Sequence, residues 1–86
     1  MDLLQEFADR LGEEEGMSVR EYRAEVRLFG QFLRDCPGFR PEVDDLRDAY
    51  QAWLEFGSGL PEAEWLHHLY LVCLFVEKRK QGAEEN

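Results

Sequence analysis

Several groups of side chains have the types and spacing to do chemistry, and most of the reactive ones fall short of a site. His67-His68 offers two imidazoles, but adjacent helical residues point about 100° apart and share one ion poorly. No His follows at i+4 and no paired Cys completes a tetrahedral set, so no metal is expected. Cys36 and Cys73 lack a partner His in a recognisable pattern and read as small apolar fillers. No Gly-rich phosphate loop, nucleophile elbow or pair of catalytic carboxylates is found. The expectation is a non-enzymatic chain without cofactors.

Charge and apolar surface point to binding instead. Arg20, Arg23, Arg27 and Arg34 share the outer face of one helix, with Gln31 among them. Their guanidinium forks suit phosphate or carboxylate, or pair within the chain, where Glu21 and Glu25 are candidates. Two acidic clusters, Glu13-Glu14-Glu15 and Glu42, Asp44, Asp45 and Asp48, are dense enough to imitate a phosphate backbone, or are simply solvated. The three aspartates fall at a helix start, where acids are favourable, and lack the alternating spacing and Gly of a calcium loop.

The last long apolar segment carries the other candidate. Trp65, Leu69, Val72 and Val76 make one stripe, Leu66, Tyr70 and Cys73 a second, and Leu71, Leu74 and Phe75 extend the coverage. A helix apolar all round must be covered on all sides. Either the other helices wrap it, or a flank formed by Tyr70, Leu71, Leu74 and Phe75 docks a partner or a second copy.

Four helices position these residues. Periodicity is near 3.6 throughout, with no alternating β-branched run. The first helix spans 2–11, with Leu3, Leu4, Phe7 and Leu11 inward and Gly12 as its stop. The second, 18–35, opens on Ser18 with Glu21 at capping-box spacing. Its core stripe is Val19, Tyr22, Val26, Phe29 and Leu33, widened by Leu28 and Phe32, and Pro37 ends it. The third, 41–56, takes Pro41 in its first turn and buries Val43, Leu46, Tyr50, Trp53 and Leu54. The fourth, 61–81, opens on Pro61 and closes on Lys78-Arg79-Lys80 with Gly82 as cap, leaving 82–86 as a frayed tail.

At 86 residues the chain has room for one domain, expected as a compact all-α fold with the apolar fourth helix at its centre. A domain of this size buries only roughly 60 % of its unfolded surface, so partner burial matters. The hydrophobic fraction, 44 %, is too high for a disordered acidic tail. The longest apolar run, Trp65 to Val76, is 12 residues and falls short of the roughly 20 that a spanning helix needs. The N-terminus has no basic segment before an apolar run, and two cysteines are too few for a disulfide scaffold, so the expected compartment is a reducing cytoplasm.

Net charge is −9, which opposes non-specific nucleic-acid binding and anionic membranes. It is unevenly spread. Residues 1–16 hold 6 acids and 1 base (−5), residues 17–41 hold 3 and 5 (+2), residues 42–64 hold 7 and 1 (−6), and residues 65–86 hold 3 of each (0).

The run Ser18-Val19-Arg20-Glu21-Tyr22-Arg23-Ala24-Glu25-Val26-Arg27-Leu28-Phe29-Gly30-Gln31-Phe32-Leu33 resembles the first helix of the SAM-like core-binding domain of tyrosine recombinases. Val43 to Tyr50 with Trp53-Leu54 is similar to that domain's next helix, and Gly59-Leu60-Pro61 with the final apolar helix to its close. The resemblance covers about residues 18–80 and implies a helical fold. It would assign DNA contact to Arg20, Arg23, Arg27 and Arg34. The family's catalytic domain has no counterpart in these residues, and the acidity outside the second helix departs from the family's basic DNA-facing surfaces.

The sequence favours a small acidic protein-binding module, a regulator or inhibitor that docks on a larger protein with a basic and apolar surface. Its sharpest form occupies a basic nucleic-acid-binding groove. The alternatives are a DNA-binding helical domain using the arginine stripe, and a structural homo-oligomer packed through its fourth helices.

Overall fold

The computed structural model describes residues 2–14 and 16–85, with side chains through 82. The fold is all-α, with four helices and no strand among the described residues. They fall into two units, Met1–Phe39 and Arg40–Asn86, each built on a pair of helices.

In the first unit α1 spans Leu3–Leu11 and α2 spans Val19–Asp35. Both begin on side-chain caps. The Asp2 carboxylate accepts the Gln5 N–H at 2.9 Å, and the Ser18 hydroxyl accepts the Glu21 N–H at 3.1 Å. Each satisfies a backbone donor that the first helical turn leaves unpaired. The last bond of α2, Cys36 N–H to the Phe32 carbonyl at 2.9 Å, falls just before Pro37. Helix α1 packs on α2 through aromatic contacts. Phe7 stacks on Phe29 with ring centroids 4.3 Å apart, Phe32 lies 5.8 Å from Phe29, and Phe39 meets Phe32 edge-on at 5.4 Å. Gly30 is buried against α1, where a Cβ would meet Leu4 Cδ2 at 3.6 Å, an ordinary van der Waals contact. Val19, expected in the core stripe, is 66 % exposed as the first residue of α2.

In the second unit α3 spans Leu46–Phe56 and α4 spans Glu62–Glu85. The expected start at Pro41 is corrected by two consecutive carboxylates. Asp44 closes a turn: its Oδ2 accepts the Arg40 N–H at 2.7 Å, while its own N–H donates to the Arg40 carbonyl at 2.8 Å. Asp45 then caps α3, accepting the Asp48 N–H at 3.2 Å. Val43, expected in the α3 core stripe, lies in this turn and is 74 % exposed. Leu46, Tyr50, Trp53 and Leu54 are buried as expected.

A tight link joins α3 to α4. Gly57 N–H donates to the Trp53 carbonyl at 2.7 Å, Ser58 Oγ donates to the Leu54 carbonyl at 2.6 Å, and Leu60 N–H donates to Ser58 Oγ at 3.1 Å. Gly59 takes φ +76°, a conformation costly for any residue with a Cβ. The Pro61 carbonyl then receives the N–H groups of Glu64 and Trp65. Because the link is short and the helices pack on each other, α3 and α4 run antiparallel as a hairpin. The helix does not stop at Gly82, as expected, but continues to Glu85. One glycine costs a helix only about 1 kcal/mol, which neighbouring good helix formers offset.

Candidate functional site

The apolar flank expected on α4 is only partly open. Tyr70 is 59 % exposed, Leu74 is half-buried, and Leu71 and Phe75 are buried at 7 % and 3 %. The Arg79 guanidinium lies 5.7 Å from the centre of the Phe75 ring. Leu71 and Phe75 are therefore corrected from docking residues to core residues.

Apart from Val43, the large exposed apolar side chains of this unit lie toward the α3–α4 link. Phe56, the last residue of α3, is 85 % exposed, and Leu66, in the second turn of α4, is 49 % exposed. Phe56 sits two residues beyond the buried Leu54 and so faces about 200° away from it around the helix. That displacement is the signal in the sequence that would have singled it out. Phe56 and Leu66 flank the link, and Tyr70 follows Leu66 by one turn, so the looped end of the hairpin carries three large apolar side chains.

Carboxylates surround that end. Glu55, Glu62 and Glu64 are all exposed, and residues 48–77 contain no Lys or Arg. The hairpin's basic residues lie at its other end, where Arg47, Arg79 and Lys80 line a concavity of about 350 Å³ with Pro41, Asp44, Asp45, Leu46 and Val76.

The expected acidic clusters are less uniform than their composition implies. Glu13 is exposed, Glu14 is half-buried and engaged, and Glu15 lies outside the described residues. Asp44 and Asp45 are exposed, but each commits an oxygen to the backbone as a turn or cap acceptor. Asp48 is exposed at the first turn of α3.

Arg20, Arg23, Arg27 and Arg34 are all exposed on α2. Among the described residues none of the four has a hydrogen-bond or ion-pair partner. Glu25 is buried at 4 % and is itself engaged. Arg20, Arg23 and Arg27 line an open concavity of about 540 Å³ with Val19 and Ala24.

His67 and His68 have ring centroids 5.7 Å apart, and among the described residues no three His, Cys, Asp or Glu side chains gather to hold a metal ion. Cys36 and Cys73 are half-buried free thiols. Burial, and secondarily the neighbouring Asp35 carboxylate, pushes the Cys36 thiol above its ordinary value, opposite to what a nucleophile needs. Among the described residues no helix is long and apolar enough to cross a membrane.

No protein-family model, curated protein or solved structure matches the chain.

Proposed function

We infer that the chain is a non-enzymatic protein-binding module that docks on a larger protein through the looped end of the α3–α4 hairpin. The observation that carries this reading is the exposure of Phe56, Leu66 and Tyr70 at an end whose charged residues are all acidic. Large apolar side chains set in a charged border are the usual composition of a docking patch, with aromatics supplying most of the affinity. The acidic border selects a partner with an apolar pocket ringed by Lys or Arg, and speeds the encounter by complementary charge. A groove built for a nucleic-acid backbone has such a rim, so a regulator or inhibitor of a nucleic-acid-handling protein fits this chemistry.

The test compares affinity capture by the wild-type chain with capture by Phe56→Asp and by Tyr70→Asp. The reading expects the same protein from the wild type and from Val43→Asp, and at least tenfold less of it from the two patch variants. Equal recovery by the patch variants overturns it.

A further inference from the structure

Two helix faces in this chain share one pattern with opposite charge. On α2, Arg20, Arg23, Ala24 and Arg27 occupy positions i, i+3, i+4 and i+7, and all four are exposed. On α3, Asp48, Gln51, Ala52 and Glu55 occupy the same four positions, and all four are exposed. Charge, polar or charged group, alanine and charge follow one another in the same order. Neither face is covered by the described residues of its own unit. Among the described residues Arg20, Arg23, Arg27 and Glu55 have no hydrogen-bond or ion-pair partner, and Asp48 is engaged only through its backbone.

We propose that the chain associates with a second copy of itself through these faces, α2 of one copy lying antiparallel on α3 of the other. Both patterns run over eight residues, seven rises or about 10.5 Å along the axis. With the axes opposed, Arg20 meets Glu55 and Arg27 meets Asp48. Ala24 and Ala52 then fall on the same side of the contact, where their small side chains let the helices approach. Arg23 falls beside Gln51, whose amide oxygen accepts from the guanidinium. The antiparallel arrangement also opposes the two helix dipoles favourably.

Long-range repulsion between two chains of charge −9 works against this pairing. At about 0.15 M salt the screening length is about 8 Å, so the net charges are largely screened while pairs in direct contact retain attraction. The contact is therefore weak and salt-sensitive. It shares Glu55 with the acidic border of the docking end, but Arg20 and Arg27 lie on α2, outside that end, so the arginine variant separates the failure of one reading from the failure of the other.

Charge reversal tests it by sedimentation velocity at about 0.15 M salt, from micromolar to millimolar chain. One variant carries Arg20→Glu with Arg27→Glu, the other Asp48→Lys with Glu55→Lys. The wild type is expected to move to masses above the monomer as concentration rises. Each reversed variant alone should associate at least tenfold more weakly, and an equimolar mixture of the two should regain association, because every reversed face then meets a complementary one. Circular dichroism checks that all three chains keep the same helix content, as expected for exposed positions. A wild type that stays monomeric throughout overturns the proposal, as does a mixture that fails to regain association. Equally fatal is a wild type that stays monomeric while shifting a DNA duplex, with only the arginine variant losing that shift, because the arginines then serve nucleic acid.

Discussion

Phe7 on α1 and Phe29 on α2 lie face to face, ring centroids 4.3 Å apart and planes 20° from parallel, both almost fully buried. Phe29 also touches Phe32, which Phe39 closes edge-on, so one ring connects most of the aromatic core of the first unit. Truncating Phe29 to Ala removes that hub and leaves a cavity. Urea denaturation should show a loss of about 3–5 kcal/mol, the usual range for a buried Phe→Ala change. Val43→Ala, at a position 74 % exposed, should stay within about 0.5 kcal/mol of the wild type.

Asp44 and Asp45 are neighbours with different duties, and substitution should separate them. Asp45→Ala leaves the first turn of α3 without its side-chain acceptor and should cost about 1 kcal/mol in thermal or chemical unfolding. Asp45→Asn keeps an acceptor at that position and should restore most of the loss. Asp44→Ala opens the turn at Arg40 instead. Hydrogen exchange should then quicken at the Arg40 amide while the first α3 amides keep their protection.

The sequence made the two inner stripes of α1 and α2 legible, because Phe7, Leu11, Phe29 and Phe32 recur at helical spacing and all are buried. It also made Ser18 legible as a cap, since Ser followed by Glu three residues later has a local physical reason. The start of α3 was less legible. Pro41 and Asp45 are both good first-turn signals, and a local turn closed by Asp44 onto Arg40 decides between them. On α4, apolar residues surround the cylinder, so periodicity alone does not say which flank stays open. Leu71 and Phe75 proved buried while Leu66 and Tyr70 did not. Phe56 lies off the buried stripe of α3, so that stripe says nothing of its exposure.

The α3–α4 link tolerates alanine unevenly. At Gly57 a Cβ would lie 3.0 Å from Cδ1 of Trp53, a buried ring with little room to yield. At Gly59 nothing crowds the site, but φ is +76°. Gly59→Ala should cost about 1–2 kcal/mol through backbone strain alone. Gly57→Ala should lower the unfolding midpoint and also change the near-ultraviolet signal of Trp53. Gly38→Ala, with no atom within 4 Å and no positive φ, is the neutral comparison.

Cys36 follows α2 directly and carries a thiol pushed above its ordinary value, chiefly by burial and then by the Asp35 carboxylate beside it. The native state therefore holds the thiol proton more tightly than the unfolded chain does. By linkage its contribution to stability is fully present below the unfolded value and is lost as pH rises through the higher folded one. In a Cys73→Ser background, alkylation follows thiolate formation at Cys36 alone. Its rate should reach half-maximum at a higher pH than that of a short peptide thiol. Asp35→Asn removes the smaller of the two causes, so the midpoint should fall part of the way and stop short of the peptide value. Denaturation should bring it the rest of the way, because unfolding removes the larger cause. A native midpoint matching the peptide would show that burial does not hold the proton on Cys36.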